Sequence, residues 1–296
     1  MVLGSPGSMP GKNARFPRHA VRAAVVLVLV VAWLAGCARP KPSDARPVVV
    51  ASLLPLGYFV DRLAPGLVKT EILIPPGANP HTHEPGMLQI RELAAASLFI
   101  KVGHPKFPFE QEWQDRLVAT RPTLRVVDGF AGVPRRDEDP HVWLSPRAVR
   151  RLVDNVTGAL GELLPAERAV ITRRQGEVLA DISEVDRELR AALSGLKTRR
   201  FLVFHPDWGY FAEEYGLEQV DIEQQARDPR SLSLVTERAR ADGVRVIFVS
   251  PQMSRQSAEL VARDIGARVE VIDPLAYDWV KNMRLVKLAF QRALRP

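Results

Sequence analysis

Residues 165–197 read PAERAVITRRQGEVLADISEVDRELRAALSGLK. The run has no proline after its first residue, and Ile171, Val178, Ile182, Val185, Leu189, Leu193 and Leu196 follow one another at steps of 7, 4, 3, 4, 4 and 3. Those steps keep one stripe of a helix apolar. About 33 helical residues would reach roughly 50 Å, longer than one lobe, so the segment reads as a backbone joining two lobes. A coiled-coil dimer seam is the competing reading, but too few heptads are present for it.

Outward from this helix, both flanks alternate short β-branched runs with amphipathic stretches. Before it, strands are expected at Val48 to Leu53, Val68 to Ile74, Ser97 to Val102 and Leu124 to Val127, with helices near 56–64, 85–96 and 108–119. Ser145-Pro146 supplies an N-cap and a first helical position, opening a further helix through about Leu163. After it, strands are expected at Arg200 to Phe204, Glu218 to Ile222, Val244 to Val249 and Arg268 to Ile272, with helices near 208–215, 231–241, 254–265 and 278–294. Strands alternating with helices predict an α/β fold: two Rossmann-like lobes, 47–163 and 198–296, each with a parallel sheet, joined by the backbone helix over 164–197.

The N-terminus has a different character. A basic stretch over 12–22 precedes an unbroken apolar run of 13 residues from Ala23 to Ala35, closed by Leu34-Ala35-Gly36-Cys37. Thirteen residues fall short of the roughly 20 that span a bilayer, so residues 1–36 read as an export signal. Leu-Ala-Gly-Cys resembles the bacterial lipoprotein cleavage box, which implies that Cys37 is lipidated and tethers the protein to the membrane through the Pro- and charge-rich segment 37–46. The protein is then exported and anchored on the extracytoplasmic side, in the periplasm or at the cell surface. Cys37 is the only cysteine, so no disulfide forms within the chain.

The formal charge of +7 on 296 residues invites a nucleic-acid reading until its location is examined. Lys12, Arg15, Arg18, Arg22, Arg39, Lys41 and Arg46 oppose Asp44 alone, which leaves a nearly neutral body. Such a body lacks the basic stripe that phosphate neutralisation needs, and no nucleic-acid partner is expected. With 46% hydrophobic and 25% charged residues, disorder is excluded as the main state.

Chemistry is concentrated in few residues. Beyond His19 in the leader, the histidines are His81, His83, His104, His141 and His205. His81, His104, His141 and His205 follow an expected strand directly or on the loop after one, and Asp273 ends another. Ligands bind outside the carboxyl ends of parallel strands. Two groups from each lobe, His81 and His141 with His205 and Asp273, form a candidate N3O set in the interlobe cleft, a donor set that suits Zn²⁺.

The segments PGANPHTHEP (76–85), DPHVWLSP (139–146), Phe204-His205 with Gly209-Tyr210-Phe211, Phe248 to Gln252, and Asp273-Pro274-Leu275 with Asn282-Met283 occur in this order. Together they resemble the substrate-binding lipoproteins of zinc and manganese ABC importers over nearly the whole mature chain. The resemblance implies two lobes joined by a rigid helix, with metal between them and His81, His141, His205 and Asp273 at the ligand positions. It further implies a monomer serving a membrane permease and a separate ATPase, with Zn²⁺ as the transported ligand and Mn²⁺ or Fe²⁺ as alternatives. Histidine at the third position is the pattern of zinc receptors in this family. Three departures stand out: Gly132 to Pro140 is short where many zinc members carry a His- and acid-rich loop, His83 stands where Tyr is usual, and His104-Pro105-Lys106-Phe107-Pro108 replaces a more apolar stretch.

His83 and His104 are candidates for an auxiliary metal site or for support beside it, set against an ordinary structural role. Trp143, Trp208, Tyr210 and Phe211 are expected to pack in the core. A zinc hydrolase is disfavoured because His-Glu-x-x-His, Gly-x-Ser-x-Gly and a phosphate loop are all missing from the sequence. The chain is therefore expected not to be an enzyme. An adhesin or a metal chaperone on the same fold stays open.

Overall fold

A computed structural model of the protein describes residues 46–136, 138–196, 198–222, 229–241 and 243–294. The expected leader, Cys37 and the tether up to Ala45 lie outside the described residues.

Strands β1 (Val48–Ala51), β2 (Lys69–Ile72), β3 (Leu98–Lys101) and β4 (Arg125–Asp128) form one parallel sheet in the order β2-β1-β3-β4. Strands β5 (Arg200–Val203), β6 (Glu218–Asp221), β7 (Val246–Val249) and β8 (Arg268–Val271) repeat that order as β6-β5-β7-β8. Central strands such as Val246-Ile247-Phe248-Val249 are buried throughout, as a sheet covered on both faces requires. Edge strands are charged instead: Lys69-Thr70-Glu71-Ile72 and Arg268-Val269-Glu270-Val271 leave polar residues at the rim, which discourages pairing with another chain.

The helices are α1 (Leu54–Leu63), α2 (Met87–Ala95), α3 (Pro108–Thr120), α4 (Pro146–Leu163), α5 (Arg168–Leu193), α6 (Gly209–Tyr215), α7 (Pro229–Ala241), α8 (Arg255–Ile265) and α9 (Trp279–Leu294). Pro146 opens α4, and Ser145 Oγ accepts from the Ala148 N–H at 3.1 Å. Close packing of α1 on β2 needs Gly57, because a Cβ there would lie 2.2 Å from Ile72 Cδ1.

The joining helix is shorter than its apolar pattern. Pro165–Glu167 form a 3₁₀ turn, and α5 stops at Leu193 before Ser194-Gly195. Ser and Gly are weaker helix formers than the residues before them, and Leu196 joins the edge of the core from outside the helix. The other six apolar positions of the stripe are buried. They pack against α1 and α4 on one side and α9 on the other, so α5 touches both sheets' helices.

One hydrophobic core runs through both lobes, from Val49 and Phe59 to Phe248 and Phe290, with a smaller cluster around Leu202 and Ile247. Polar ties cross the same junction. Trp143 Nε1 donates to Pro274 O at 2.7 Å and Trp279 Nε1 donates to Trp143 O at 2.8 Å, while Arg62 ties α1 to the joining helix through Asp181 at 2.7 Å. Within the core, Trp143, Trp208 and Phe211 are almost wholly enclosed and Tyr210 nearly so.

Candidate metal centre

His81 sits on the turn after β2. Asn79 Oδ1 accepts from the His81 N–H at 2.9 Å, and Asn79 O accepts from the N–H groups of Thr82 and His83. This asparagine-centred turn shapes the loop from within, while Gly77 (φ +80) supplies a left-handed step that other residues resist. His81 itself is exposed.

His141 is held differently. It lies after β4 and is 5% exposed, and Asp139 Oδ1 accepts from both its N–H and its Nδ1, each at 2.9 Å. With Nδ1 committed as a donor, Nε2 is the nitrogen left for a cation, the arrangement by which carboxylates orient metal-binding imidazoles. Asp139 fits only because α6 begins with glycine: a Cβ on Gly209 would stand 2.2 Å from Asp139 Oδ2. Arg136 adds a lateral hold, with Nε 3.5 Å from Asp139 Oδ2 and Nη1 2.5 Å from Glu213 on the other lobe.

His205 follows β5, where Phe204 N–H donates to Phe248 O at 2.8 Å. Asp207 N–H donates back to His205 O at 2.8 Å, closing a tight turn around Pro206. The candidate ligand nitrogens of His81, His141 and His205 all lie within 4.8 Å of one another. Ligands of one tetrahedral zinc stand about 3.3 to 3.6 Å apart, so the rings need only a small contraction to share an ion.

Asp273 lies two residues beyond β8 rather than at its end, and its Oδ1 accepts from Leu275 N–H at 2.9 Å and from Gln252 Nε2 at 3.1 Å. Its backbone carbonyl accepts from Asn282 Nδ2 at 2.6 Å. It stands beside the three-histidine cluster rather than within it. His83 and His104 are also outside the cluster. His83 Nε2 meets Gln89 Oε1 at 3.3 Å. His104 is buried with both nitrogens engaged: Nδ1 accepts from Lys106 N–H at 3.1 Å, so Nε2 donates to Arg136 O at 2.9 Å.

The reading of the sequence missed Asp207. Its Oδ1 lies 3.1 Å from His141 Nε2 and 3.7 Å from His205 Nε2, and the residue is 6% exposed. A carboxylate two residues beyond a candidate ligand, across a proline, was the available signal. Burial pushes the Asp207 carboxyl up, with the two imidazoles pulling against it. Burial alone would lower His141, yet the facing carboxylates of Asp207 and Asp139 outweigh it and raise its pKa.

The cleft is lined by His81, His141, His205, Asp207, Gln252 and Met253 and leaves about 20 Å³ of free space, room for one water-sized species. A larger cavity of about 550 Å³, lined by Arg135, Arg136, Arg147, Arg151, Tyr210 and Glu213, touches none of the three histidines.

Comparison with known proteins places these observations in a family. The model of the periplasmic component A of zinc-uptake complexes matches residues 49–291. A zinc-binding lipoprotein, AdcA, of Streptococcus pneumoniae is 23% identical over 276 residues, covering 83% of this chain but only 54% of its own length. The chain thus spans about half of that relative. The high-affinity zinc uptake system protein ZnuA of Bacillus subtilis is 26% identical over 248 residues, covering 77% of this chain and 78% of its own. Among solved structures, a zinc-bound ZnuA deletion mutant superposes with a TM-score of 0.79 at 33% identity, covering 85% of this chain and 99% of that one. The chain belongs to the zinc-uptake component A family.

Proposed function

We propose that this family member captures Zn²⁺ outside the cytoplasmic membrane and delivers it to the permease of an ABC importer powered by a separate ATPase. The observation that carries the reading is the convergence of three imidazoles from two lobes within 4.8 Å, on a cleft with room for one small species. Three nitrogen donors favour zinc over the harder manganese ion. That space also leaves little place for an organic substrate, and the chain performs no chemistry of its own. Lobes 47–163 and 198–296, linked over 164–197, hold the ion as a monomer.

Export through residues 1–36 and lipidation of Cys37 supply the membrane attachment. Among the described residues no helix is long and apolar enough to cross a membrane. Cells fed labelled fatty acid should incorporate label into the wild type but not into Cys37→Ser, and equal labelling would refute the anchor.

The decisive test is titration of metal-free protein with Zn²⁺, followed by competition with Mn²⁺. One zinc per chain, not displaced by comparable manganese, is the expected result. Manganese binding more tightly than zinc would overturn the assignment.

A further inference from the structure

We infer that the cavity between Arg135, Arg136, Arg147 and Arg151 binds a small organic anion bearing two or more carboxylates. The inference does not rest on the reading of the three histidines, none of which lines the cavity.

The sequence of α4 gives the first sign. The helix opens Pro146-Arg147-Ala148-Val149-Arg150-Arg151, with no acidic residue in its first turn. The amino end of a helix carries a partial positive charge that favours acids and repels cations, and like charges four residues apart repel each other. Arg147 and Arg151 break both rules at once. Local penalties of this kind are kept where they serve a site, and both arginines line one cavity.

Charge balance gives the second. Among the described residues, four arginines and a single acid, Glu213, line about 550 Å³, an ordinary volume for a small-molecule site. Two of the guanidiniums are already committed. Arg135 pairs with Asp128 at 2.7 Å, and Arg136 with Glu213 at 2.5 Å and Asp139 at 3.5 Å. The other two are not: Arg151 approaches Asp154 only to 4.0 Å, and Arg147 meets Glu214 through its backbone N–H at 3.2 Å. The Arg147 guanidinium has no ion pair among the described residues.

The walls are held in place. Asn155 Nδ2 donates to Gly129 O at 2.9 Å and to Ala131 O at 3.1 Å, pinning the loop after β4 to α4. On that loop Gly132 has φ +83, and a Cβ there would lie 3.9 Å from Arg151 Nε, so the backbone itself reaches the arginine. Val133, Pro134, Ala148 and the nearly enclosed Tyr210 add apolar surface. Each guanidinium can take a carboxylate through two parallel N–H···O bonds. Two such heads one helical turn apart, beside an apolar wall, suit separated carboxylates on a carbon frame better than one compact ion such as phosphate.

Calorimetric titration of metal-free protein with tricarballylate, a tricarboxylate without the hydroxyl that makes citrate a strong chelator, tests the site. Binding of one tricarballylate is expected, weakened at least about tenfold in Arg147→Gln and in Arg151→Gln, as loss of a charged hydrogen-bond partner implies. Arg150 lies on the same helix outside the cavity lining, where its Nη2 donates to Ser183 Oγ at 2.9 Å. Arg150→Gln should therefore bind as the wild type does, and inorganic phosphate should bind the wild type more weakly than tricarballylate. Because Arg147 and Arg151 are exposed and work against the helix dipole, their replacement should keep or raise the ligand-free melting temperature. A lowered melting temperature would show a structural role and overturn the inference. So would absence of binding by the wild type, undiminished binding by either lining variant, an equal loss in Arg150→Gln, or phosphate binding as tight as tricarballylate.

Discussion

The loops that carry the candidate ligands His141 and His81 present the same kind of ring nitrogen by opposite means. His141 is enclosed, its ring oriented by Asp139, its neighbour Trp143 tied to the other lobe, and the next helix capped by Ser145. His81 is exposed on a turn whose bonds are supplied mostly by Asn79. One histidine is preorganised by the tertiary fold and the other by its own loop. An ion-binding site needs both, because a cleft enclosed on every side has no entry path.

Replacing the histidines should break the comparison most severely. Alanine at either His81 or His141 is expected to weaken zinc by more than the roughly 100-fold upper end found for orienting partners. The two should part in stability: His141→Ala lowers the melting temperature of metal-free protein, while His81→Ala leaves it nearly unchanged. Equal melting shifts would abolish the distinction between them.

Gly209→Ala probes the enclosed loop without touching a donor. The added methyl collides with Asp139 Oδ2, so the loop or α6 must move, at a cost of about 1 to 3 kcal/mol in stability. Zinc affinity should fall about 10- to 100-fold because His141 loses its orientation. Denaturant unfolding and zinc titration of the variant measure both, and unchanged affinity would show that Asp139 does not guide the ring.

Acidity sharpens the contrast through its sign. The facing carboxylates hold the folded pKa of His141 above its ordinary value. Its stabilisation of the metal-free protein is therefore fully present below the ordinary histidine value of about 6.5 and is lost as pH rises through the raised one. Zinc needs Nε2 unprotonated, so affinity should weaken as pH falls through that same window. Melting curves in chelator should show the advantage of wild type over His141→Gln shrinking with rising pH, and a growing advantage would contradict the shift.

The smallest effect is expected at the exposed loop. Asn79 Nδ2 donates to Met253 Sδ across the cleft at 3.8 Å, a weak contact. Asn79→Ser should change equilibrium zinc affinity less than about tenfold, below the range for residues that orient ligands. Stopped-flow binding and equilibrium titration would check this, and a larger loss would mean that His81 is fixed as firmly as His141.

Much of this architecture was legible in local pattern. Val48-Val49-Val50 and Val246-Ile247-Phe248-Val249 announce buried strands because covered parallel sheets accept little else. The stripe from Ile171 to Leu193 announces the joining helix, although its period could not show that Pro165–Glu167 and Ser194-Gly195 lie outside it. The three histidines were legible because each follows a strand in a distinctive motif. Asp207 was not, since its aim depends on how the chain turns at Pro206. The role of His104 was equally hidden, because its acceptor, Arg136 O, lies 32 residues away.

The continuous core that joins the lobes also bears on unloading. A receptor hinged between separate cores could discard its cargo by swinging open, but here such a swing would tear apart aromatic packing that extends from Phe59 to Trp279. If His81 ligates as proposed, departure of the ion would be better served by exchange at the rim, where its exposed imidazole would be the first bond surrendered to an accepting surface. On that proposal the receiving protein would act as a competing chelator, and transfer would become a contest between coordination shells.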